Sequence, residues 1–138
     1  MRARDLMQRQ PITLEPSTPF LEIQHLFVVT QISGAPIVDE RGDVLGVVSS
    51  SDLLRVLDEV CDDDIDPADP AEDLAERLRT ITALEIGGTD AVWVSPLTPL
   101  ARVAQIMRTE GIHRVLVGEP GHLAGLLSAF DLLHVVGA

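Results

Sequence analysis

The chain carries the same pattern twice. Val44-Leu45-Gly46-Val47-Val48-Ser49-Ser50-Ser51-Asp52-Leu53-Leu54 lies over Leu123-Ala124-Gly125-Leu126-Leu127-Ser128-Ala129-Phe130-Asp131-Leu132-Leu133 at an offset of 79 residues. Gly42 falls on Gly121 and Glu40 on Glu119. Upstream, Pro16-x-Thr18-Pro19-Phe20 matches Pro96-x-Thr98-Pro99-Leu100 at an offset of 80, so the copies differ by one residue, placed near Ser33-Gly34-Ala35. An internal repeat fixes the architecture before any element is assigned, because each copy must be the same supersecondary unit.

Each copy reads as strand, helix, strand, strand, helix. Ile12 to Leu14 and Ala91 to Val94 are short extended segments ending at Pro16 and Pro96, which disfavour helix in the residue before them. Thr18 and Thr98 suit the N-cap and Pro19 and Pro99 the first helical position. In the helices that follow, Phe20, Ile23 and Phe27, and then Leu100, Val103, Ala104 and Met107, make one apolar face each. The strand pairs are Pro36 to Val38 with Val44 to Val48, and Val115 to Val117 with Leu123 to Leu127; each pair reads as a hairpin. Closing helices begin near Ser49 and Ser128 and run towards Val60 and Gly137.

The expected organisation is therefore an α/β (α+β) module with a first repeat over 1–60, an acidic linker and the start of a connecting helix over 61–80, and a second repeat over 81–138. Asp62 to Asp73 reads as solvated linker and Leu74 to Glu85 as the connecting helix. One unit of this size is marginal alone, so the two are expected to bury their apolar faces as one module.

Charge narrows the function. The formal net charge of −12 excludes general affinity for DNA, RNA or an anionic membrane surface, which needs clustered Lys and Arg. Ten of the 22 acidic residues lie between Asp58 and Glu76 with no basic residue among them, so the imbalance is largely local and reads as a solvated face. The single cysteine, Cys61, points to a reducing, cytoplasmic setting and to a packing role for that side chain. No apolar run approaches signal-peptide or membrane-spanning length.

At Gly46-Val47-Val48-Ser49-Ser50-Ser51-Asp52 and Gly125-Leu126-Leu127-Ser128-Ala129-Phe130-Asp131 the pattern resembles the signature of CBS domains, and two in tandem resemble a Bateman module. The resemblance extends to Asp5-Leu6-Met7, to Ile32 through Asp39 and to Ile112 through Val117. It implies two pseudo-twofold-related β-α-β-β-α units with clefts that hold an adenosine compound such as AMP, ADP, ATP or S-adenosylmethionine as a regulatory ligand. By that likeness Ser49 and Ser128 face phosphate, and Asp52 and Asp131 accept from ribose hydroxyls. Ile12, Thr13, Gly34, Ala35 and Pro36 in one copy, and Val94, Ser95, His113, Arg114 and Val115 in the other, line the adenine and phosphate ends. It further implies a homodimer that relays ligand binding, as in energy sensing, to a regulated partner protein.

The chemistry stands without the family. A serine at a helix start lies beside unpaired N–H groups and the positive end of the dipole, which suits an anion. An ionised Asp is all acceptor, and vicinal ribose hydroxyls are two donors. Arg114 is well shaped for phosphate. The plain structural reading of Ser-x-x-Asp is a capping box, which coexists with ligand contact. Gly46 and Gly125 read equally as close packing or ligand clearance, Trp93 as a core or interface residue, and His25, His122 and His134 as solvated side chains rather than metal ligands. The difference between Ser33-Gly34-Ala35-Pro36 and His113-Arg114-Val115 predicts one better nucleotide site and one weak or empty one. An interaction module with vestigial clefts is the alternative. An enzyme is the third class: no nucleophile–base arrangement, metal cluster, Walker loop or carboxylate pair is placed on the expected elements, so no catalytic residue, required cofactor or metal site is assigned.

Overall fold

A computed structural model describes residues 1–61, 64–88 and 91–137. The elements are α1 (Ala3–Leu6), β1 (Gln8–Arg9), α2 (Phe20–Thr30), β2 (Gly34–Val38), β3 (Val44–Ser49), α3 (Ser50–Val60), α4 (Pro70–Leu78), α5 (Ala83–Ile86), β4 (Trp93–Val94), α6 (Leu100–Glu110), β5 (Arg114–Glu119), β6 (His122–Ser128) and α7 (Ala129–Gly137). They group into two compact units that do not follow the order of the repeats. One, here the leading unit, is Ile12–Asp39 with Leu45–Thr89; the other, the trailing unit, is Met1–Pro11 and Glu40–Val44 with Asp90–Ala138.

The leading unit places β2 beside β3, with Leu14 bridged in parallel to Ile37 by Leu14 N–H to Pro36 O (2.8 Å) and Val38 N–H to Leu14 O (2.9 Å). Its core is Phe20, Ile23 and Phe27 from α2, Ile37 and Val48 from the strands, and Leu53 and Val56 from α3. Leu78, Ala83 and Ile86, from the segment after the acidic stretch, complete it. The trailing unit is a four-stranded sheet ordered β1-β6-β5-β4, with β1 and β5 antiparallel to β6 and β4 parallel to β5. Its core gathers Ala3, Val94, Val103, Met107, Val115, Val117 and Leu127.

Each expected repeat, 1–60 and 81–138, opens with a segment that lies in the other unit. Residues 2–8 and 82–88 occupy equivalent places, each a one-turn helix followed by an extended stretch. In the trailing unit Ala3 N–H reaches Thr98 O (2.8 Å) and Gln8 pairs with Leu126. In the leading unit Ala83 N–H reaches Thr18 O (2.8 Å) and Val47 exchanges both backbone hydrogen bonds with Gly88 (3.1 and 3.2 Å). Each unit therefore receives the segment that precedes the other repeat.

This pairing explains three departures from expectation. Thr18 and Thr98 do not cap their helices; Pro19 and Pro99 hold the N-cap in extended conformation because both prolines bridge the incoming segments at Thr82 and Arg2. The connecting helix does not run from Leu74 to Glu85. It starts at Pro70 under an Asp69 cap, with Glu72 N–H donating to Asp69 Oδ1 (3.3 Å), and is over by Leu78, because Ile81 O must accept from Phe20 N–H (2.8 Å). The early extended strand over Ile12 to Leu14 reduces to the single bridge at Leu14, while β1 forms at Gln8–Arg9.

Two side chains are corrected as well. Ala104 is exposed on α6, and the partly buried Ile106 packs on that core instead. Cys61 is exposed, one residue past the end of α3, rather than part of a core. Asp62 and Asp63, part of the acidic run, lie outside the described residues. Among the described residues no helix is long and apolar enough to cross a membrane, and no group of His, Cys, Asp and Glu is gathered at metal-binding distance.

Candidate functional site

The strands end where the chemistry begins. β3 delivers Ser49 to the start of α3 and β6 delivers Ser128 to the start of α7, each half-buried. A backbone hydrogen bond ties each helix start to the residue leading into the neighbouring strand: Ser50 N–H to Ser33 O and Ala129 N–H to His113 O, both 2.8 Å. The two copies therefore build the same corner within their own units, and the sequence-expected residues sort cleanly between them. Ile12, Thr13, Gly34, Ala35, Pro36, Ser49 and Asp52 fall in the leading unit; Val94, Ser95, His113, Arg114, Val115, Ser128 and Asp131 fall in the trailing one.

Both Ser-x-x-Asp pairs are capping boxes. Asp52 N–H donates to Ser49 Oγ (3.2 Å), and Asp52 Oδ2 accepts from Ser49 N–H (2.8 Å) and from the Ser49 hydroxyl (2.9 Å). In the trailing copy Asp131 N–H donates to Ser128 Oγ (3.2 Å) and Asp131 Oδ2 accepts from Ser128 N–H (2.8 Å). Each carboxylate thus spends one oxygen on its helix. The second oxygens differ: Asp52 Oδ1 lies 3.8 Å from the Arg55 guanidinium, whereas Asp131 has His134 at the matching position. Arg55 is itself held by Glu59 (3.3 Å) and by Ile86 O (3.1 Å). Replacing Ser128 by alanine removes one cap and is expected to cost about 1 kcal/mol, read as a lowered denaturation midpoint at unchanged slope. An unchanged midpoint would mean that the cap carries no stability.

The remaining expected residues divide by burial. Ala35 and Pro36, and likewise Val94 and Val115, are buried in the cores, so they offer backbone rather than side chain to anything outside. Gly34 is buried; Ile12 and Arg114 are half-buried; Thr13, Ser95 and His113 are exposed. Gly46 and Gly125 are resolved in favour of close packing. A Cβ on Gly46 would collide with the carbonyl of Gly88, and one on Gly125 would lie 2.7 Å from Met7 Sδ and 2.9 Å from Gln8 O. Their absence of a side chain admits the exchanged segments.

Charge is divided as unevenly as the cores are alike. The trailing unit holds seven arginines against seven carboxylates, and the leading unit three arginines against fifteen, so the whole net charge of −12 resides in the latter. All three of its arginines are ion-paired within it: Arg55 with Asp52 and Glu59, Arg77 with Asp73 (3.3 Å), and Arg79 with Glu76 (2.9 Å). Sequence reasoning attributed the imbalance to the acidic stretch; the unit boundaries, which depend on the exchanged segments, show that its complement is neutral.

Comparison with known proteins agrees with this anatomy. The family model of the CBS domain matches residues 3–59 and again 83–138. The human 5′-AMP-activated protein kinase subunit gamma-3 is 29% identical over 121 residues, covering 87% of this chain and 23% of that protein. The chain spans less than half the length of the first curated relatives it matches. Among solved structures, the CBS domain pair of MJ0100, in complex with 5′-methylthioadenosine and S-adenosyl-L-methionine, superposes with a TM-score of 0.78 at 22% identity, covering 99% of this chain and 96% of that one. CBSX2, in complex with AMP, gives 0.76 at 22% identity over 98% and 95%. With both repeats matched and each closing on the same Ser-x-x-Asp corner, the chain belongs to the CBS domain family and carries two copies in tandem.

Proposed function

We propose that the chain is a regulatory CBS pair that binds an adenosine-containing ligand and relays its occupancy to a partner protein, without catalysing a reaction. The reading is carried by the twin corners, in which a serine-capped helix start and an Asp carboxylate bound through one oxygen to that cap recur in both units. Its support from outside is that folds of the same kind hold AMP in one case and S-adenosylmethionine with 5′-methylthioadenosine in another. In this reading the chain acts as a homodimer in the cytoplasm, and the ligand works by binding one arrangement more tightly than another.

The two corners are unequal in this reading. The trailing one is the better site for a phosphorylated compound: it lies in an electrically neutral unit, brings His113 and Arg114 where the other copy has Ser33 and Gly34, and has no arginine at the place of Arg55. The leading corner lies in a unit of net charge −12 and has Arg55 beside Asp52 Oδ1. Thermal unfolding with AMP, ADP, ATP and S-adenosylmethionine in parallel tests this. Ligand at about 100 times its dissociation constant adds roughly 2.7 kcal/mol. The expected result is a shift with at least one phosphorylated compound that Asp131→Ala abolishes and Asp52→Ala largely preserves. Equal loss in both variants would remove the asymmetry; no shift with any compound would favour an interaction module whose clefts are vestigial.

A further inference from the structure

The duplication supplies an internal control: what both copies share is what the fold requires, and what only one has is free to serve something else. Applied to the surface of the leading unit, it singles out an open groove of about 660 Å³ between α2 and residues 13–19. Leu14, Pro19 and Leu26 on its walls correspond to Val94, Pro99 and Ile106, apolar in both copies and so explained by packing. Three of its other lining residues diverge in kind. Glu22 corresponds to Arg102, Glu15 to Ser95, and Val29, which is 64% exposed, to Thr109. Folding therefore does not demand two carboxylates and an exposed valine here.

The charge of this groove is not neutralised by its own unit, whose arginines are all paired with Asp52, Glu59, Asp73 and Glu76. We propose that the groove docks a cationic segment of a partner protein, an arginine- or lysine-bearing stretch whose apolar side chains rest on Leu26 and Val29 while its charges meet Glu15 and Glu22. The groove sets Leu14, Pro19, Leu26 and Val29 beside Glu15, Glu22 and the imidazole of His25, with no lysine or arginine, in a unit carrying fifteen carboxylates; two carboxylates against one imidazole complement a cationic segment and oppose an acidic one. This is a surface for the partner; it shares Thr13 with the expected ligand lining but includes neither Ser49 nor Asp52.

Fluorescence polarisation of the full chain with a short labelled peptide alternating arginine and leucine, and with its glutamate–leucine counterpart, tests the proposal without any nucleotide present. The arginine peptide should bind and the glutamate peptide should not. Glu15→Gln with Glu22→Gln should weaken binding about fivefold at low salt, consistent with two partly exposed ion pairs. Val29→Thr, the residue that the other copy tolerates in its place, should weaken it without altering the salt dependence. A further variant, Asp58→Asn with Glu72→Gln, which removes two exposed carboxylates outside the groove that pair with no arginine among the described residues, should leave binding nearly intact. Loss in that variant with none in the groove variants would show that the peptide reads bulk acidity and would overturn the proposal, as would equal binding of both peptides. Melting curves of each variant separate lost docking from lost folding.

Discussion

Gly46→Val is expected to lower the melting temperature of the chain by on the order of 10 °C, measured against Gly88→Ala as a control that should barely move it. A Cβ at position 46 meets the carbonyl oxygen of Gly88, and this neighbour is main chain fastened to Val47 by hydrogen bonds in both directions. It cannot turn aside as a side-chain end would. Overpacking of this kind costs about 1–3 kcal/mol, and loss of the two hydrogen bonds adds about 1 kcal/mol each. At roughly 2–4 °C per kcal/mol for a chain of this size, the sum gives the stated shift. At Gly88 an added Cβ meets nothing within 4 Å. Gly125→Val should act in the same direction but more mildly, since part of its clash is with the movable sulfur of Met7. Equal, small shifts for Gly46→Val and Gly88→Ala would mean that the Val47–Gly88 pairing is not a stabilising contact.

The legible part of this molecule is that in which local chemistry decides. The spacing of Phe20, Ile23 and Phe27 announces a buried helix face, and all three are buried. Ser49 and Ser128 announce helix starts, and α3 and α7 begin one residue later. Gly42 and Gly121 mark the turns between the paired strands because both sit at φ +88°, where a side chain is strained. The illegible part is long-range. Nothing local in Ala3-Arg4-Asp5-Leu6 says that it will bury Ala3 among Val103 and Leu127, or that Ala83-Leu84-Glu85-Ile86 will close the core around Phe20. A sequence-based boundary follows chain order, whereas burial follows the partners available in space. The same limit governs the site. The capping boxes were written in the Ser-x-x-Asp spacing, and so was the place of Arg55 three residues beyond Asp52, but the hydrogen bond by which Ile86 O holds that guanidinium (3.1 Å) joins residues 31 apart in the chain.

The exchange of segments also predicts where the chain can be cut. A fragment covering residues 1–60, the first repeat by sequence, lacks Leu78, Ala83 and Ile86, which are 2%, 0% and 2% exposed in the leading unit, and the partly buried Leu74 and Ile81 that pack on the same core. Burying a leucine or isoleucine side chain contributes about 1.5–3 kcal/mol, so Leu78 and Ile86 alone amount to about 3–6 kcal/mol. A unit of roughly 70 residues has a total stability of about 4–10 kcal/mol. The first fragment is therefore expected to lose most of its stability and to show no cooperative transition by circular dichroism. A fragment covering residues 12–88 keeps these side chains, the Val47–Gly88 pairing and the Phe20–Ile81 hydrogen bond, and leaves behind Ala3, which serves the other core. It is expected to unfold in one cooperative step. Cooperative unfolding of the 1–60 fragment at the midpoint of the intact chain would show that α5 is dispensable to the core it fills. Two non-cooperative fragments would instead mean that the leading unit does not stand without the rest of the chain.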